Sequence, residues 1–141
     1  MADKAIELKR VVMVKAIVTE AFKDNLIKEL ERAIRNLDTQ GRQMELQSKT
    51  YMEDLKKKGL VQQLTAFRHK LEEERGRLAA ARADLLRKVE EAKALTLNSE
   101  FVQGPLEGPV EIKVGDNLYK KVGAAEIIVK DGVVQEIRGI D

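Results

Sequence analysis

A seven-residue apolar repeat runs on both sides of a single glycine, and that pattern leaves this chain little choice of fold. Before Gly59, Leu30, Leu37, Met44 and Tyr51 recur every seven residues; after it, Leu64, Leu71, Leu78, Leu85 and Ala92 do the same. A sustained period of seven keeps one seam of a helix turned toward a partner. Gly59 supplies a turn residue able to take positive φ. Two helices of about 35 residues, each roughly 50 Å long at 1.5 Å per residue, joined by so short a link must run antiparallel. The second seam position holds Leu26, Ala33, Gln40 and Gln47 in the first helix, and Phe67, Ala81 and Leu95 in the second. Gln40, Gln47 and Glu74 interrupt the middle. Away from the turn the seam widens, with Ile27 and Ile34 on one helix and Leu86 and Val89 on the other. That widening predicts packing of the base against a sheet or a second copy. Gly41 and Gly76 fall level with each other and off these columns. Each costs a helix about 1 kcal/mol against alanine, and the pair reads either as a flexible point or as tolerance in a solvated helix.

The composition agrees with a narrow seam in place of a thick core. Of 141 residues, 35% are charged and only 4% aromatic, with no tryptophan and no cysteine; such a make-up is long-helix material. The absence of cysteine excludes disulfides and thiolate metal sites. The start lacks the cationic stretch and cleavage site of a signal peptide. The most apolar run, Val11–Val18, is interrupted by Lys15 and is far shorter than the roughly 20 residues of a membrane span. A soluble, cytoplasmic protein with no membrane partner is expected.

Outside the helices the pattern is β. In residues 5–18, Ile6, Leu8, Val12, Val14, Ala16 and Val18 share one face at period two, with Arg10 the exception. The other face is half polar, so partial cover is expected there too. Thr19 has the chemistry of an N-cap, with Glu20 in the first turn. Residues 99–141 read as all β. Gly104-Pro105 and Gly108-Pro109 punctuate them, Val110, Ile112 and Val114 alternate with charges, and Gly115-Asp116-Asn117 turns into Leu118–Val122. Asp131-Gly132 between two apolar runs is a strong hairpin signal. The expected class is α+β: a long antiparallel coiled-coil hairpin inserted in a small antiparallel β domain, barrel-like or an open sheet. Residues 1–18 and 97–141 form the β domain; 19–96 form the hairpin, its helices over about 19–57 and 60–95.

Three phrases carry a family likeness. Leu8-Lys9-Arg10-Val11-Val12-Met13-Val14-Lys15-Ala16-Ile17-Val18-Thr19 resembles the opening of the YlqD family. Lys113-Val114-Gly115-Asp116-Asn117-Leu118 and Asp131-Gly132-Val133-Val134-Gln135-Glu136-Ile137-Arg138-Gly139 resemble later parts of it. The likeness covers both ends well and the helical middle only in kind. These motifs are a strand, a turn and a hairpin; the resemblance implies a bacterial protein and brings no catalytic residue with it.

Catalytic chemistry is not written in the side chains. His69, the single histidine, stands between Arg68 and Lys70 beside the seam and is expected in solvent. Without cysteine or a second histidine, no zinc site or Cys/His nucleophile can be assembled. Glu72, Glu73 and Glu74 fan out by about 100° each and cannot converge on one ion. There is no GxxxxGK[ST] and no GxGxxG, and Ser48 and Ser99 lack a nucleophile elbow. No cofactor is expected, and an enzyme would have to work in a β-domain cleft or at an oligomer interface.

One charge asymmetry remains. Residues 49–70 hold six cations (Lys49, Lys56, Lys57, Lys58, Arg68, Lys70) against Glu53 and Asp54, a net +4, while the whole chain is +2. With Leu60 and Val61 beside them, Lys56, Lys57, Lys58, Leu60, Arg68 and Lys70 are the candidate interaction residues. The bland account is that lysine forms helices well, suits a helix C-terminus, and that Leu60 merely closes the turn. Two functional readings follow. The first is a non-enzymatic structural protein, a homo-oligomer on a β base that offers its hairpin to a protein partner, with prefoldin as a fold-level analogy. The second is an RNA- or ribosome-associated factor touching phosphates through the basic turn, salt-sensitive and, lacking aromatics for stacking, without sequence specificity.

Overall fold

The computed structural model describes residues 4–139, and the chain divides into two compact units, residues 4–24 with 95–139, and residues 25–94. In chain order the elements are β1 (Ala5–Ile17), α1 (Glu20–Lys57), α2 (Val61–Lys93), β2 (Glu100–Lys113), α3 (Leu118–Val122), β3 (Ala125–Lys130) and β4 (Val133–Arg138). The class is α+β, with an open four-stranded sheet in the order β2-β1-β3-β4.

The first unit is that sheet. β1 pairs antiparallel with β2 from Ala5↔Lys113 to Ile17↔Glu100, shifting register between Val14 and Lys15. β3 and β4 form the hairpin expected across Asp131-Gly132, both residues taking positive φ. The sheet is not wholly antiparallel, however, because β3 lies parallel to β1. β2 ends beside Ala5, and Ala125 stands level with Val12. Residues 114–124 therefore climb roughly 23 Å of strand at 3.3 Å per residue and enter β3 in the direction of β1. Leu118–Val122, read from sequence as part of the β run, makes that climb as a helical turn, with Asn117 Oδ1 accepting from Lys120 N–H at 3.1 Å. Pro105 and Pro109 do not interrupt β2, since a proline is tolerated on an edge strand.

Ala16, Val18, Ala125 and Ile128 are buried at 3% exposure or less, and the Phe22 and Phe101 rings meet at 5.4 Å. Arg10, the polar exception on the apolar face of β1, donates to Lys120 O at 3.1 Å and Gly139 O at 3.3 Å. Thr19 caps α1 as expected, accepting from Phe22 N–H at 3.0 Å; its hydroxyl donates to Asp131 Oδ1 at 2.7 Å. β3 reaches only Val12–Ala16 of β1, so Ala5–Val11 has β2 as its single strand partner. On one face the partners are Ile6–Ile112 and Leu8–Val110 within that ribbon and Val12–Leu106 where β3 begins. Ile6 is 60% and Leu106 59% exposed.

The second unit is the antiparallel pair α1 and α2. The link between them is a helix-ending motif built on Gly59 at φ 70°. Gly59 N–H donates to Lys56 O at 3.1 Å and Leu60 N–H to Leu55 O at 3.0 Å, the two bonds that close a helix with a glycine in the left-handed region. α2 presents Leu64, Leu71, Leu78, Val89 and Ala92 to the seam, all buried. On α1 the second column differs from the sequence reading. Gln40 and Gln47 are exposed, while Ser48 and Leu55 are buried and Gly41 half-buried. Farther from the turn both columns are half-buried, Leu26 with Ile27 and Ala33 with Ile34; nearer the turn, of these two, only Gly41, Ser48 and Leu55 are covered. A straight helix lags about 20° per heptad, so over five heptads the contact line passes to the next residue. Gly41 is thus a seam residue; a Cβ there would lie 4.0 Å from Leu78 Cδ1.

Candidate interaction surface at the hairpin turn

Register follows from the cross-helix bonds. Arg75 Nε donates to Glu45 Oε1 at 2.6 Å and Nη2 to Oε2 at 2.8 Å; one heptad away, Arg82 Nε donates to Asp38 Oδ1 at 2.9 Å. These are two rungs of a ladder on one flank, one helix supplying carboxylates and the other arginines. The guanidinium of Arg75 beside Glu45 holds that carboxyl below its ordinary value, and Arg82 does the same to Asp38. Arg42 and Ala79 line the same flank in a groove of about 630 Å³ around Gly41 and Leu78.

The same sevenfold step carried toward the turn brings Arg68 to the next arginine position and Met52 to the next carboxylate position. The third rung has its cation and lacks its anion. The column of Arg42 continues through Lys49 and Lys56, so this flank carries Lys49, Arg68 and Lys56 in succession around Met52. Sequence reasoning missed the arrangement because it counted charge without pairing the helices. The spacing Arg68, Arg75, Arg82 against Asp38, Glu45, Met52 was the available signal.

The candidate residues do not form one cluster. Lys56, Lys57, Lys58 and Leu60 stand at the turn, whereas Arg68 and Lys70 lie roughly 13–16 Å along the helix at 1.5 Å per residue. Lys58 is engaged with Asp54 at 3.0 Å. Among the described residues Lys49, Lys56, Lys57, Arg68 and Lys70 have no ion-pair partner, and Val61 is 68% exposed. His69 is in solvent, 3.5 Å from Glu73. Glu72 and Glu74 are tied to Arg75 and Arg77 respectively. Among the described residues no three histidine, cysteine or acidic side chains are placed to hold a metal ion, and no helix is long and apolar enough to cross a membrane.

A family model described as "YlqD protein" matches residues 6–138. The chain is similar to the crystal structure of a protein of unknown function from Synechococcus sp. WH 8102, with 29% identity and a TM-score of 0.84, over 96% of this chain and 95% of that one. No curated protein matches it. Neither likeness indicates a catalytic family.

Proposed function

From the membership of this chain in the YlqD family, and from the hairpin geometry, we propose a non-enzymatic interaction protein: the β units assemble into a homo-oligomer, and the turn-proximal end of the hairpin engages the partner. The observation that carries the reading is the contrast along one flank. Two arginine rungs are closed by carboxylates, while nearer the turn Arg68, Lys49 and Lys56 are left open beside the exposed Val61. A helix pair that needed charge only for its own stability would close the third rung as it closes the others. Cytoplasmic residence, expected from the sequence, belongs to the same proposal.

The oligomer rests on the ribbon formed by Ala5–Val11 and β2. Two strands alone are marginal in water, and Ile6 and Leu106 leave this one apolar on an open face. The test is light scattering on a sizing column at micromolar concentration, with an Ile6→Lys/Leu106→Lys variant beside the parent chain. A multimeric parent and a smaller variant are expected; a monomeric parent overturns the assembly. For the hairpin, cross-linking in cells of the source organism should give partner adducts that fall with Lys56→Glu/Arg68→Glu. Adducts indifferent to that variant remove the turn-proximal end as the working surface.

A further inference from the structure

We infer that the open third rung is a sequence-independent docking strip for the phosphate backbone of single-stranded RNA, an inference that rests on the turn-proximal end being the working surface. Lys49, Arg68 and Lys56 follow one another along a single flank over about 10 Å of helix axis at 1.5 Å per residue. Charges strung out in that way do not converge on one small anion; they match a chain that carries a charge on every unit. Arg68 sits where its two heptad relatives, Arg75 and Arg82, each hold a carboxylate in a two-nitrogen grip. A guanidinium grips phosphate with the same fork, so the empty place offered by Met52 is open to one.

Glu72, the nearest carboxylate along α2, is turned to Arg75 and leaves Arg68 free. Tyr51 is edge-on to Phe67 at 4.7 Å and 47% exposed; stacking on such a ring is open to any base, so the contact stays independent of sequence. An anionic lipid surface would ask for a broad apolar helix face beneath the cations; here Leu46, Met52, Leu60 and Val61 are scattered among charged and polar residues. An acidic protein segment would be attracted too, and its binding in place of RNA would overturn the assignment.

The experiment uses the full chain and a labelled oligouridine about 20 nucleotides long, longer than a typical single-strand site. For three phosphate contacts the salt slope of log K is about −2, a loss of about 20-fold between roughly 50 and 200 mM salt. Met52→Glu, which completes the ladder and occupies Arg68, should weaken binding about tenfold or more and flatten the slope, while leaving the circular dichroism unchanged. Arg68→Gln should reduce the slope by about 0.7. Lys70→Gln, off this flank, should change little. Binding that ignores salt or Met52→Glu, or preference for anionic vesicles or an acidic peptide, overturns the strip. If the oligouridine fails while the cross-linked adducts still vanish in Lys56→Glu/Arg68→Glu, the working surface stands and only RNA is wrong. If both fail, the surface itself is wrong.

Discussion

Gly41→Ala should stabilise the hairpin by about 1.5 kcal/mol, and the reasons can be taken apart. Gly41 lies inside α1 with ordinary helical φ, so alanine gains the full difference in helix propensity, about 1 kcal/mol. The new Cβ would stand 4.0 Å from Leu78 Cδ1, ordinary contact with no overlap. Burying a methyl in a half-buried seam adds about 0.5 kcal/mol. Gly76→Ala is the control, because a Cβ there meets nothing within 4 Å and should contribute the propensity alone, about 1 kcal/mol. In a unit of about 70 residues these gains raise the melting temperature by about 8 and 5 °C. The assay is urea and thermal unfolding of the full chain by far-UV circular dichroism, with amide exchange along α1 to place the gain. Equal gains from Gly41→Ala and Gly76→Ala would mean that a Cβ at 41 meets no partner across the helices, and would refute the seam assignment. Gly41→Leu should reverse the sign, since overpacking costs about 1–3 kcal/mol.

Asp38 and Glu45 are both held below their ordinary values of 3.8 and 4.5, chiefly by hydrogen bonds from Arg82 and Arg75. A depressed carboxyl contributes stability above its unfolded value and loses it as pH falls through the folded one, so the hairpin should weaken below about pH 4.5, less steeply in Arg75→Gln/Arg82→Gln; equal acid limbs in thermal melts would contradict the ladder. Thr19→Ala should cost about 1 kcal/mol through the lost cap, measured by chemical denaturation, and Thr19→Ser should restore most of it. Leu55→Ala, at 3% exposure, should cost about 2–5 kcal/mol in the same assay. Gly139→Ala should loosen the β unit, since its Cβ would come 2.5 Å from Ala124 O at a φ of 79°; amide exchange in β3 and β4 would report it.

Residues that carry a period or a turn dipeptide were readable from sequence: both helices, the glycine at their junction, the Thr19 cap and the Asp131-Gly132 hairpin. What escaped depends on how elements pair. The seam column was misplaced by one residue because a seven-residue grid does not follow a 3.6-residue helix over five heptads. The parallel β1–β3 pairing has no local signal, since strands of similar composition pair either way. Five residues, Leu118–Val122, are too few to show a helical period, though Asn117 before them is a good cap. Gly-Pro pairs looked like breaks because nothing local tells an edge strand from a turn. The candidate cations were named correctly as charges, and the missing carboxylate opposite Arg68 became visible only once Asp38–Arg82 and Glu45–Arg75 set the helices in register.

The sheet order has a consequence for how the chain is born. β1 leaves the ribosome before both strands that satisfy its hydrogen bonds, since β2 and β3 begin only at residue 100 and after. The hairpin between them is made of nearby contacts and can close as it emerges. While residues 18–99 are made, then, a closing helical hairpin trails a thirteen-residue strand with two bare edges, the kind of template that recruits other strands. Lys9 and Lys15 within that strand keep it charged during the wait.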